Sequence, residues 1–416
     1  ADLALYSTPR TLNNLNQHWS ESLPPTREAA LSRAAAVMPA HYAKTRNYID
    51  GGVTGLSPYL THGLVTLSEV LNVFLEKESL TIGHKLVYEL GWREFFRHVW
   101  AHEGERIFES LHMGPLDDLQ YKKELPTDIR HAHTGVPAID EAIRLLYSTS
   151  GLHNHARMWL ASYIVHIRKI HWRVGADWMV AHLMDGDLAS NHLSWQWVAG
   201  TASHKPYLFN ADNVARYAPS HWHSHESVID VSYEQLDRLA RNARSADFMS
   251  IHSDDSLNSG THEPIAYSLP PRDLTWIEPS SAEAELIRDR EVWLVHPWAI
   301  RQPPTDSSTN PLVIGVYLRD YHDMWPWTES RWRWVDAAMS TITPHRWLVR
   351  ADELLTILKA ARTVRSVDDL HVSKLLNTLA ECDPSPMLFS PIERRCSSFS
   401  QWWNRTTKGI ILSLIH

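Results

Sequence analysis

Apolar residues recur every three or four positions through most of the first 205 residues, the spacing of helices that bury one face. Pro24-Pro25 breaks the chain ahead of an alanine-rich helix over Arg27–Met38. Further helices are expected over Leu64–Leu75, Gly83–His102, Gly135–Ser148, Asn154–Trp172 and Asp177–Met184. On Gly83–His102, the i, i+3 and i+4 relations place Glu89, Trp92, Arg93 and Phe96 on one side. Strand signals are few, and residues 1–220 read as one helical domain.

The pattern then changes. Within 221–290, Tyr233–Ala243 reads as a helix and Ser245–Pro271, rich in Ser, Asp, His and Pro, as a long loop or linker. Beyond 291 the period alternates. Glu291–Val295, Leu312–Leu318 and Arg346–Val349 are β-type runs, with helices expected over Arg331–Ser340 and Asp352–Ala361. That alternation predicts a small α/β domain with a parallel sheet over 291–416, its tail after Pro384 unassigned. The fold class is therefore mainly α: a helical domain followed by a smaller α/β domain. The α/β segment has neither a G-x-G-x-x-G loop nor a P-loop, so no nucleotide is assigned to it by motif.

Composition narrows the classes. The 416 residues are 44% hydrophobic and 21% charged, values of a globular chain. A net charge of -8 argues against coating nucleic acid non-specifically, while leaving room for a local basic patch. Cys382 and Cys396 are too few for a disulfide framework or a four-cysteine cluster, which predicts a reducing, cytoplasmic setting. No apolar run reaches the length of a membrane span, Ala1-Asp2-Leu3-Ala4 lacks the blocks of a secretory signal, and no metal site is assigned. The 19 tryptophans and 26 histidines are the compositional oddities, and most of the indoles must be core.

Candidate chemistry concentrates in Asp185-Gly-Asp-Leu-Ala-Ser-Asn-His-Leu-Ser-Trp-Gln-Trp197. Asp185 and Asp187 follow the apolar run Trp178–Met184, so they are expected to need a cation or several N–H donors. With Trp195 and Trp197 beyond them, the stretch reads as a site for a flat, electron-active ligand. A second candidate is Gly51-Gly-Val-Thr-Gly-Leu-Ser-Pro58. Its N–H groups and hydroxyls suit phosphate, and equally it is a Gly-rich turn with a Ser cap.

Five motifs in order resemble the photolyase/cryptochrome flavoproteins over roughly residues 40–210: Thr54-Gly-Leu-Ser-Pro-Tyr-Leu60, Glu89-Leu-Gly-Trp-Arg-Glu-Phe95, Gly135-Val-Pro-Ala-Ile-Asp140, His153-Asn-His-Ala-Arg-Met158, and Asp185 through Trp197. The resemblance implies a U-shaped FAD inside the helical domain. By that resemblance Thr54, Leu56 and Ser57 contact the FAD phosphates, with Tyr42 and Arg46 entering the loop. Arg93 and Asn154 resemble flavin-side contacts, Arg157 the arginine that pairs with Asp185, and Asp187 the aspartate at the ribityl and ring edge. Asn191 matches the position facing flavin N5, where an amide has no carboxyl proton to donate.

The same resemblance implies that Trp92 and Trp197 stack on a flipped-out cyclobutane pyrimidine dimer, that Glu89 hydrogen-bonds it, and that Met158 marks the cyclobutane-dimer subgroup. Trp195 matches the indole next to flavin and Trp172 the next outward. No outer third indole is matched: Leu119–Arg130, where it would stand, holds Tyr121 and no Trp, and Trp178 or Trp159 is the substitute. The implied function is light-dependent repair of UV-damaged DNA. The alternatives are a cryptochrome-like photoreceptor with a protein signalling partner, and a helical scaffold that has lost flavin.

The chain departs from the family in four respects. The helical domain comes almost first, and Val292–Arg301 with Val313–Leu318 resembles the family's usual opening strands. No antenna residues are matched, so a second chromophore stays unassigned. Gly151-Leu152 replaces an aromatic, and Thr201–Tyr207 is short. The charge is negative, with Arg97, Lys205 and Arg216 as phosphate candidates. The spacing from Tyr42 and Arg46 to Ser57 is one residue short.

Overall fold

The computed structural model describes residues 22–244, 261–274, 281–305 and 310–410. They fall into two compact units: one of residues 38–53 and 95–264, the other of 22–37, 54–94 and 265–410. These boundaries differ from the expected 1–220, 221–290 and 291–416. Residues 54–94 group with the α/β segment, and the expected linker contributes to both units. The helix Lys85–Glu103 is shared between them.

The first unit is helical. Pro137–Thr149 begins with its proline in the first turn and ends at Ser150, whose left-handed φ of 54° closes the helix. Its Ile139, Ile143 and Leu146 are fully buried against Trp159 and Leu160 of Asn154–Ser162. Asp187 caps Leu188–Ala199 by accepting from the Ser190 N–H at 2.9 Å, and Gly200 at φ 85° ends it.

The helix expected over Asn154–Trp172 is interrupted. A π-turn occupies Tyr163–Ile167 and Lys169 is left-handed at φ 53°. The cause is a tertiary pairing: Lys122 N–H donates to Lys169 O at 2.7 Å, and His171 N–H donates to Lys122 O at 2.8 Å. His171 then restarts a helix, Trp172–His182, its Nδ1 accepting from the Arg173 N–H. The expected Asp177–Met184 helix is the end of this one. Tyr233–Ala240 is the helix expected there. Most of Ser245–Pro271 lies outside the described residues, as does the chain before 22.

The second unit holds a five-stranded parallel sheet. Its strands are β2 (Glu291–Val295), β3 (Leu312–Leu318), β5 (Arg346–Val349), β6 (Thr363–Val367) and β7 (Glu381–Asp383), in the order β5-β3-β2-β6-β7. A two-residue strand β1 (Ala266–Tyr267) pairs antiparallel with β4 (Trp327–Thr328). The central strands β2 and β3 are near-continuously buried apolar runs, as a sheet covered on both faces requires. Glu329–Ser340, Ala351–Leu358 and Ser373–Leu379 are the crossover helices.

Residues 22–37 and 54–94 join this unit through contacts no local pattern announces. Trp334 Nε1 donates to Leu23 O at 2.9 Å, Tyr59 Oη donates to Pro24 O at 2.7 Å, and the Ile300 N–H donates to His62 O at 2.9 Å. Gly63, at φ 71°, lies so close to Ala299 that a Cβ would come within 2.7 Å of its backbone. The tail forms the helix Phe399–Thr406, capped by Ser398.

Candidate functional site

The Asp185–Asn191 segment is the centre of the candidate site in the first unit. Asp185 follows the Trp172–His182 helix, and the Met184 N–H is tied to Ser150 O at 2.7 Å. Its carboxylate, 8% exposed, accepts both 2.9 and 3.1 Å hydrogen bonds from Arg157 Nη2. Arg157 is itself fixed, with Nε donating to Leu152 O at 2.8 Å. Both oxygens of a nearly buried carboxylate are thus paired with one guanidinium nitrogen.

Asp187 is buried. Oδ2 is the helix cap and also accepts from Ser190 Oγ at 2.7 Å, while the Arg97 guanidinium lies 3.7 Å from Oδ1. Arg97, read from sequence as a phosphate candidate, is here a partner of Asp187. One turn on, buried Asn191 donates from Nδ2 to Ala176 O at 3.0 Å. Beside it, His192 Nε2 lies 2.8 Å from Asp177 Oδ1, and burial holds that imidazole below its ordinary pKa.

His153 has a role that the sequence reading did not assign. Its Nδ1 accepts from the His155 N–H at 3.0 Å, capping Asn154–Ser162, so the remaining ring hydrogen on Nε2 donates to Arg46 O at 2.9 Å. His155 Nδ1 contacts Asn47 O at 2.6 Å. The backbone after Pro39–Thr45, which carries half-buried Tyr42 and Arg46, is thereby tied to the helix of Asn154, Arg157 and Met158. Burial lowers the His153 pKa from 6.5 to about 4, so the neutral ring this arrangement needs persists at neutral pH. Asn154 is exposed, its Nδ2 3.5 Å from Met158 Sδ.

The tryptophans separate by environment. Trp195 is buried with its ring on Gly175, where a Cβ would come within 2.3 Å of the indole. Trp172 is buried and donates from Nε1 to Ser110 Oγ at 2.9 Å. Trp197 is 40% exposed, 5.6 Å from the Tyr207 ring. Trp159 is a packing residue, set among His155, Phe209 and Trp222, with Nε1 bonded to Asn213.

Thr54, Leu56, Ser57, Glu89, Trp92 and Arg93 belong to the second unit. Gly55 at φ 64° makes the turn, Thr54 Oγ1 accepts from the Leu56 N–H at 3.4 Å, and the helix Ser57–Thr61 follows. Ser57 opens that helix and does not cap it, because Leu56 occupies the cap position. Arg93 Nη2 donates to Thr61 Oγ1 at 3.0 Å, and Glu89 is exposed.

Trp92 is stacked on Phe399, with ring centroids 4.1 Å apart and planes 9° apart. Neighbouring Glu94 is buried and accepts from the backbone N–H groups of Leu388 and Phe389, the latter at 2.9 Å. The sequence carried no signal for either contact, since the partners lie some 300 residues downstream.

Residues 86–225 match the family described as the FAD binding domain of DNA photolyase. The chain is 32% identical over 237 residues to a deoxyribodipyrimidine photo-lyase of Synechococcus, a match covering 52% of this chain and 48% of that one. It is 32% identical over 189 residues to a chloroplastic/mitochondrial cryptochrome DASH of Ostreococcus tauri, covering 44% and 35%. A solved cryptochrome of Synechocystis sp. is similar over 46% of this chain and 43% of that one, at 28% identity and a TM-score of 0.41. Residues 86–225 therefore form a helical FAD-binding domain. That domain is similar to the FAD-binding domain of DNA photolyases and cryptochromes. The chain spans less than half the length of these two curated relatives.

The donor set of the first unit fits FAD. Guanidinium, carboxylate and amide groups along Asp185–Asn191 suit the ribityl hydroxyls and the polar edge of the isoalloxazine, and buried indoles lie in the same helices. Among the described residues, no cluster of His, Cys, Asp and Glu suits a metal ion, and no helix is long and apolar enough to cross a membrane.

Proposed function

We propose that this chain is a light-dependent DNA-repair flavoprotein of photolyase type, acting on cyclobutane pyrimidine dimers. The observation that carries the reading is the Arg157–Asp185 pair, set beside Asp187 and Asn191 within the matched FAD-binding domain. FAD, when bound and reduced, supplies the light-driven electron that opens the dimer and takes it back.

The chain's own residues do the rest. In the first unit Tyr42, Arg46, Asn154, Arg157, Asp185 and Asp187 hold the cofactor, and Thr54, Leu56, Ser57 and Arg93 are assigned to it by the family resemblance alone. Asn191 meets the flavin edge without offering a carboxyl proton. Met158 and Trp197 of the first unit receive the flipped-out lesion, which cannot reach a buried flavin from within the duplex, and Trp92 is assigned to it by the family resemblance alone. Glu89 hydrogen-bonds the dimer and steadies the negative charge it gains. Trp195 and then Trp172 return electrons to a cofactor that has lost them.

Phosphate contact is best served in the first unit by a cleft of about 220 Å³ lined in part by His112, His204, Lys205 and Arg241. Arg216 lies over the Tyr217 ring. The free thiols Cys382 and Cys396 support a reducing, cytoplasmic setting.

The test is to illuminate reduced, FAD-loaded protein with a dimer-containing oligonucleotide and follow thymine recovery. Recovery no higher than in a dark control removes this reading. A cryptochrome-like photoreceptor is the second reading, favoured by the Phe399 ring on the face of Trp92. Light-driven flavin reduction without preference for damaged DNA selects it.

A further inference from the structure

Trp172 is 2% exposed, yet its indole nitrogen begins a hydrogen-bonded path outward. Nε1 donates to Ser110 Oγ at 2.9 Å, and Ser110 Oγ donates to Asp118 Oδ1 at 2.9 Å. The direction follows from the groups themselves. An indole nitrogen only donates, an ionised carboxylate only accepts, and a hydroxyl between them accepts from one and donates to the other. The Asp118 side chain is 44% exposed, so the path ends in water. His171 holds the far side of that carboxylate. Its Nδ1 accepts from the Arg173 N–H at 3.0 Å, which leaves Nε2–H to face Asp118 Oδ2 at 3.3 Å. Ser110 comes from the loop after Gly104–Phe108 and Asp118 from the single turn Asp118–Gln120, so tertiary packing assembles the path.

We propose that Ser110 and Asp118 form the proton exit of Trp172 and so make Trp172 the terminal electron donor among the described indoles, without a third one further out. The inference rests on the flavin reading above. On illumination, one electron passes from Trp172 by way of Trp195 to the excited oxidised flavin. The oxidised indole releases its Nε1 proton to Ser110 Oγ as the Ser110 proton moves to Asp118, which gives it to water. Trp172 is left as a neutral radical, a poor acceptor for the returning electron, until an external thiol supplies an electron and the solvent a proton. Trp159, another buried indole, donates instead to the amide oxygen of Asn213, which cannot pass a proton on as a hydroxyl can.

The experiment uses the full chain, with Ser110→Ala and Asp118→Asn variants. Without flavin, the Trp172 indole ¹⁵N–¹H cross-peak, assigned with Trp172→Phe, shifts in S110A if the hydrogen bond exists in solution. In FAD-loaded protein with a thiol, flash photolysis of the wild type yields the deprotonated indole radical, formed more slowly in deuterated water. In both variants the radical keeps its proton, and flavin photoreduction falls about tenfold in yield, as expected when return of the electron outcompetes loss of the proton by an order of magnitude. Wild-type yields in both variants, with unchanged radical protonation and isotope dependence, overturn the proposal. A protein that takes up no FAD overturns it together with the flavin reading, and its colourless spectrum distinguishes that failure.

Discussion

The Phe399 ring lies parallel to the Trp92 indole, 4.1 Å away centre to centre. The helix that delivers it, Phe399–Thr406, docks closely: Tyr88 lies 4.8 Å from the Trp403 ring, and a Cβ on Gly91 would come within 2.3 Å of that ring. One face of the indole proposed to receive the lesion is therefore covered by a side chain that mimics a stacked base.

Removing the competitor should strengthen lesion binding. A stacked aromatic pair contributes about 0.5–1.5 kcal/mol beyond its buried area, so Phe399→Ala is expected to tighten binding to dimer-containing DNA by roughly twofold to tenfold. Trp92→Ala should abolish preference for damaged over undamaged DNA. Fluorescence anisotropy with both oligonucleotides checks this. Equal affinity in wild type and F399A means that Phe399 does not compete with the lesion for Trp92.

Asp185 depends on Arg157. Truncating one partner of a buried ion pair costs about 3–5 kcal/mol, and the partial exposure of Arg157 reduces this to about 2–3 kcal/mol for Arg157→Met. FAD content, read from visible absorbance after gel filtration, should fall with it. Asp185→Asn keeps the shape and loses the charge. It should lower flavin content while leaving far-UV circular dichroism unchanged.

Trp195 depends on a missing side chain. Gly175→Ala puts a Cβ within 2.3 Å of a rigid indole, an overpacking cost of about 1–3 kcal/mol. The expected outcome is a lower thermal midpoint and slower flavin photoreduction at similar flavin loading. Unaltered photoreduction in G175A separates Trp195 from the electron path.

Acid should weaken the fold before carboxylates titrate. Burial lowers the pKa of His153 and of His166 from 6.5 to about 4, and that of His322 to about 3. Unfolding frees these rings to bind protons near pH 6.5. Their contribution is complete above the unfolded value and is lost as the pH falls from 6.5 toward 4. Urea midpoints measured from neutral to mildly acid pH should decline across that window. His153→Gln keeps a donor for Arg46 O and removes one titrating ring, so its decline should be shallower.

The sequence by itself determined the helical half, the strands Glu291–Val295, Leu312–Leu318 and Arg346–Val349, and the motif set that names a FAD-binding domain. These are readable because periodicity and capping act over a few residues, and because motif residues meet a ligand of fixed chemistry. The Arg157–Asp185 pair was legible only through that resemblance. Tertiary structure alone decided that Asn154–Trp172 breaks where Lys122 and His171 pair, that residues 54–94 join the sheet-bearing unit, and that Phe399 covers Trp92. It also decided that Ser110 and Asp118 lead away from Trp172. Each of these is a contact between segments far apart in the chain, fixed by how buried surfaces and unpaired polar groups find partners in three dimensions.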